Sequence, residues 1–121
     1  MTLYQIITAN KRCRDLLGEE PRFYPHGMAE ADEIRPYAVY QQVGGAPVKC
    51  VGGSANMDHE LIQIDVYSDQ YNSAQGAYNA IRNALEPYHE IASFNGRSRD
   101  PATKDWRITF TLSMFNKRER N

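Results

Sequence analysis

The chain has 121 residues, of which 41% are apolar and 24% charged, and its formal net charge is −1. One ordinary globular domain fits these values, large enough to bury roughly two thirds of its unfolded surface without a disulfide or a metal. Without a basic surplus there is no long-range field of the kind a dedicated nucleic-acid binder shows.

Residues 3–17 read as one amphipathic helix. Leu3, Ile6, Ile7, Cys13, Leu16 and Leu17 fall on one face. Thr2 suits the N-cap, Gly18 the closing position, and Lys11, Arg12 and Arg14 the C-terminal end of the dipole. Residues 19–35 are turn-rich, with a short extended piece at Arg22-Phe23-Tyr24. The acidic run 30–33 reads as a solvated face, because no histidine or second carboxylate cluster stands at ligand spacing.

Residues 36–43 form a strand, opened by Pro36 and ended by Gly44-Gly45-Ala46-Pro47. Residues 48–51 suit a short return strand, and 52–56 a flexible loop that lacks the lysine of a phosphate cradle. In residues 60–67, Ile62, Ile64 and Val66 alternate with Gln63 and Asp65, so the three β-branched side chains share a buried face. Ser68 and Asp69 then offer caps. Tyr71, Ala74, Tyr78, Ile81 and Leu85 make a helical stripe that Pro87 stops.

Residues 89–94 suit a short strand, Asn95-Gly96 a tight turn, and 97–105 a charged loop. In the last strand, 106–115, Trp106, Ile108, Phe110, Leu112 and Met114 face one way and Arg107, Thr109, Thr111 and Ser113 the other. Residues 116–121 read as a polar, flexible tail. The expected fold is a two-layer α+β domain over residues 1–121, with a mainly antiparallel sheet and two amphipathic helices on one face. The other face, carrying Leu61, Gln63, Asp65, Tyr67, Thr109 and Thr111, is either wet or covered by another subunit.

Chemistry is sparse. His26, His59 and His89 have no nucleophile or carboxylate at a motif spacing, so no catalytic residue, metal site or cofactor is expected. Cys13 and Cys50 lack CxxC spacing and read as free, unjoined thiols of a reducing compartment. Met1-Thr2-Leu3-Tyr4 has no charged segment before an apolar core, and no run is long enough to cross a bilayer, so neither a secretion signal nor a transmembrane helix is expected. The eight tyrosines suit half-wet positions, including interfaces.

Several stretches together resemble the tail completion or tail terminator proteins of long-tailed bacteriophages, the gp17-like small tail proteins. They are Pro36-Tyr37-Ala38-Val39-Tyr40-Gln41, the strand 60–68, the helix 74–85 and Asp100-Pro101-Ala102-Thr103-Lys104-Asp105-Trp106-Arg107. Leu16-Leu17-Gly18 and Arg22-Phe23-Tyr24-Pro25 fit as well, so the resemblance runs from about residue 3 to 115. It implies a structural virion protein of the tail, assembled in the bacterial host cytoplasm as a ring, typically a hexamer. Such a ring caps the head-proximal end of the tail tube, ends its polymerisation and offers a head-joining surface. The implied partners are other copies of the chain, the tail tube protein and the head-tail connector protein, with no membrane and no sequence-specific nucleic acid, although genomic DNA is a candidate to pass through the ring. No enzyme activity and no cofactor carry over.

Loops 44–58 and 96–105 correspond to neighbour contacts in such rings. The candidate interface residues are therefore Gly44, Gly45, Gly52, Gly53, Asn56, Tyr67, Arg97, Arg99, Asp100, Lys104 and Asp105. The 44–58 loop is expected to be mobile in the lone subunit. Another head-tail joining or closure protein, a small non-viral ligand-binding α+β module, or an enzyme with a site assembled only in space are the competing readings.

Overall fold

The computed structural model describes residues 2–30, 33–47 and 57–117. In chain order these form helices α1 (Leu3–Ala9) and α2 (Lys11–Leu17), strands β1 (Phe23–Pro25), β2 (Tyr37–Pro47) and β3 (Met57–Ser68), helix α3 (Tyr71–Leu85), and strands β4 (Glu90–Arg99) and β5 (Trp106–Lys117). The sheet order is β1-β2-β3-β5-β4. Only the β1–β2 pair is parallel; the rest are antiparallel.

The alternation in β3 and β5 places the core. Ile62, Ile64 and Val66 stand opposite Leu112, Phe110 and Ile108 in register, and all six are buried. Helix α3 lays Ala74, Ala77, Tyr78, Ala80, Ile81, Ala84 and Leu85 on this face. The alanines let the helix approach the sheet closely, while Tyr78 meets Phe110 edge-on at 5.3 Å. Leu3, Ile6, Ile7, Cys13 and Leu17 complete the same cluster. The expected two-layer α+β architecture is therefore present, with three helices in place of two.

The third helix arises because the single helix expected over 3–17 breaks at Asn10. Its backbone is extended, at φ −94° and ψ 120°. Its side chain accepts from the Cys13 N–H at 3.0 Å and so caps α2. Asparagine competes with helical backbone in this way and is favoured at caps. Thr2 caps α1 in a reciprocal box with Gln5, and Gly18 follows α2 at φ 104°. At α3, neither Ser68 nor Asp69 is the N-cap; Gln70 takes that place without a side-chain bond, and Ser68 Oγ only accepts a long 3.4 Å contact from its N–H.

Other boundaries move too. Strand β2 does not end at Gly44 but runs to Pro47, with a bulge between Gln42 and Gly44. At Gly45, φ is 146° and an added Cβ would run into the His59 carbonyl, so only glycine lets β2 lie this close to β3. Asn95-Gly96 is not a turn. It sits inside β4 at the second of two bulges, where Gly96 takes φ 118°. The chain reverses at residues 100–104 instead, where Asp100 Oδ1 accepts from the Ala102 N–H at 2.8 Å. Asn116 and Lys117 belong to β5, not to a tail. The return strand expected at 48–51, Cys50, and residues 118–121 lie outside the described residues.

Two predictions follow from this packing. Ile64 and Ile81 are fully buried, so Ile64→Asp or Ile81→Asp should leave no folded protein, an unpaired buried carboxylate costing several kcal/mol against a whole stability of about the same size. Circular dichroism melts check this; a normal cooperative transition in either variant would show the core to be elsewhere. Cys13 is buried, its thiol donates to the Ala80 carbonyl, and burial raises its pKa from 9.0 to about 11. Its contribution to stability is therefore intact below pH 9 and is lost as pH rises through about 11. A thiol reagent at pH 8 should leave Cys13 untouched until denaturant is added, as mass spectrometry would read.

Candidate functional site

The register puts the two groups of expected interface residues at opposite ends of the sheet. Met57 pairs with Lys117 at one end of β3, and Ser68 with Trp106 at the other. Eleven residue steps separate them, about 37 Å at strand rise. Gly44 and Gly45 lie in β2 toward the first end, paired with Leu61 and Glu60. Gly52, Gly53 and Asn56 lie outside the described residues. Asp100, Lys104 and Asp105 form the β4–β5 reversal at the other end, next to Tyr67, Arg97 and Arg99.

At the reversal, most of the charge is engaged within the subunit. Asp105 is 4% exposed and accepts from Arg35 through both oxygens, at 2.7 and 2.8 Å. Arg35 also donates to the Glu33 carbonyl, and Glu33 accepts from Tyr24. One guanidinium thus ties the 33–36 segment, with its cis Arg35–Pro36 bond, to the reversal. The Arg97 and Arg99 side chains turn to the helix side: Arg97 donates to Gln75 of α3 and covers Phe94, and Arg99 lies over Trp106. Asp100 is spent on its own turn, and Lys104 stands exposed with φ 63°.

The open face of the sheet has its own organising group. Asp65 is 2% exposed although no helix covers it. Its carboxylate accepts from Thr109 Oγ1 at 2.6 Å, from Arg107 Nε at 3.2 Å and from Gln63 Nε2, and it pairs with Arg107 Nη2 at 3.1 Å. Beside it Tyr67 stacks on Tyr37 at 5.1 Å. Burial pushes the Tyr67 phenol up, and the charge of Asp65 adds to it. A cleft of about 300 Å³ between Tyr67, Arg107, Ser98, Arg99, Asp100 and Pro101 joins this face to the reversal.

At the opposite end, β2, β3 and β5 outrun the helices. Beyond Ile62 and Met114 none of the described residues 57–60 or 115–116 is fully buried. This arm exposes Phe115 (56%) and Met57 (37%), with His59 stacked on Phe115 at 4.8 Å and bonded to Ser113. On its other side a cleft of about 430 Å³ opens beside the start of α1, among Leu3, Tyr40, Ile62 and Met114, with Glu60 bonded to Asn116. Sequence reading passed over Phe115 and the Asp65–Arg107 pair. Strand parity carried both signals: Phe115, Arg107 and Thr109 fall on the same side of β5, and Asp65 stands opposite Thr109. Among the described residues, no group of three histidine, cysteine or acidic side chains is placed to hold a metal, and no helix is long and apolar enough to cross a membrane.

Comparison with known proteins adds two findings. A family model described as tail completion protein gp17 matches residues 1–115. Among solved structures, a chain of the virion of a native gene transfer agent (GTA) particle superposes with a TM-score of 0.67 at 16% identity, covering 95% of this chain and 91% of that one, a likeness of fold. No curated protein matches.

Asp105→Ala and Asp65→Ala each strand a guanidinium among groups built to hold it, and each should lower stability by roughly 1–3 kcal/mol. Lys11→Ala, at a fully solvated pair, should change it by less than about 0.5 kcal/mol. Urea titration of the three variants is the check; equal midpoints would show that neither network holds the sheet.

Proposed function

Because the chain belongs to the tail completion protein gp17 family, structural proteins of the phage virion tail, we propose that it closes into a ring, a hexamer, on the head-proximal end of the tail tube. There it ends tube polymerisation and presents the surface that joins the head. The match over residues 1–115 of 121 carries this reading.

The subunit's shape supports it. A terminator must grip the growing tube end and offer nothing to the next tube subunit. A ring meets both demands when its two faces differ and the same lateral contact repeats around the axis. Here the two ends of the sheet differ in kind. One is a tight, charged reversal braced by Arg35 and Asp105; the other is an arm with exposed Phe115 and Met57. One ring face then meets the tail tube protein and the other the head-tail connector protein. A net charge of −1 keeps like-charged stacked rings from repelling strongly. The candidate contacts at the reversal act chiefly through Lys104, Arg107 and the Tyr67 cleft, since Arg97, Arg99 and Asp105 already have partners in the subunit. Genomic DNA passes through the ring without sequence-specific contact.

Removal of the gene from the parent phage tests the role. Electron micrographs of lysates should show tails of uncontrolled length without heads. Tails of normal length that lack heads would assign the chain to head-tail joining alone. Normal tails joined normally to heads would contradict both.

A further inference from the structure

The arm carries a knob on one side and a trough on the other. Alternation in β5 sends Phe115 to the open face and Met114 to the helix side, one residue apart. Phe115, Met57 and the His59 ring form the knob. The trough begins in the 430 Å³ cleft over Ile62 and Met114 and continues, through Glu60, into a second cleft of about 330 Å³ beside Asp58 and Gly45. Its volume is that of a site for a large apolar group.

We infer that neighbouring subunits join through these arms, the Phe115 knob of one seating in the Ile62–Met114 trough of the next copy. The inference rests on the ring reading above and names its lateral contact. Three observations select a second copy as the occupant. First, knob and trough stand back to back at the same height along β3 and β5, so a rotation without a rise brings one onto the other. A contact of that kind closes into a ring instead of climbing as a filament. Second, the body has two layers and the arm one, the helix layer adding about 10 Å. The subunit is therefore a wedge, and wedges with their thin ends inward pack around an axis. Third, the surfaces complement each other in charge: the trough carries the carboxylates of Asp58 and Glu60 and no lysine or arginine lines it, while the described knob offers an imidazole and no acid.

The test uses the full chain carrying Cys50→Ser, with buried Cys13 left as a silent thiol. Phe115→Cys combined with Gln5→Cys, at the exposed lip of the trough, should give under oxidation a ladder of covalent oligomers on denaturing gels. Phe115→Ser should raise the protein concentration needed for assembly by about tenfold or more and leave the subunit's own melt unchanged, since Phe115 is solvent-exposed. Tyr88→Ser, equally exposed at 56% but far from the arm, should leave assembly alone. Rings that form at unchanged concentration in Phe115→Ser, with no ladder, would overturn this contact and leave the ring standing. Equal weakening by Tyr88→Ser would also overturn it. A wild-type chain that stays monomeric at every concentration would overturn the contact and the ring together.

Discussion

Pairing of β3 with β5, with one face of the pair sealed by α3, is the constraint on which the rest of the structure depends. The pairing runs unbroken from Met57–Lys117 to Ser68–Trp106. Its buried face holds Ile62, Ile64, Val66, Ile108, Phe110 and Leu112 against Ala77, Tyr78 and Ile81. Each aliphatic or aromatic side chain buried there is worth roughly 1.5–3 kcal/mol. A slip of one residue would turn Asp65 and Arg107 inward and the isoleucines outward, so the register is strongly specified.

The same parity decides what the other face can be. Asp65 is forced onto the open side in the middle of the sheet, between Val39 and Thr109 in register. It is desolvated there by its own neighbours, and the hydroxyl of Thr109, the guanidinium of Arg107 and the amide of Gln63 meet its lone pairs. Charged hydrogen bonds of this kind hold strands in register without a second layer. The Arg35–Asp105 pair does a similar task across 70 residues of sequence, tying the approach to β2 to the β4–β5 reversal. Strand length decides the remainder. β3 and β5 are each longer than α3 can cover, and the surplus is the arm.

Much of this was legible in the sequence, and the failures have a common cause. Period-two and period-3.6 patterns located β3, β5 and α3 because burial of one face leaves a regular trace. Breaks that depend on one side-chain bond left no such trace. Asn10 interrupts a perfectly good helical stripe to cap α2. Asn95-Gly96 has turn chemistry, yet pairing with β5 on both sides makes it a bulge. Gly44-Gly45 looks like a loop until the close approach of the His59 carbonyl is known. At the candidate interface, charge alternation in 97–105 suggested a sticky loop, but Arg97, Arg99 and Asp105 are satisfied inside the subunit by partners up to 70 residues away. Residues far apart in sequence meet there, and no local pattern announces them.

The central claim is closure: one subunit with dissimilar ends and back-to-back lateral surfaces, repeated around an axis until no lateral surface is left over. Mass measurement of the pure protein in solution, paired with negative-stain images of the same sample, tests it most directly. The account predicts a discrete particle with the mass of six 13.8 kDa subunits and a round, open-centred projection. A monomer at all concentrations, or filaments of unlimited length, would contradict it.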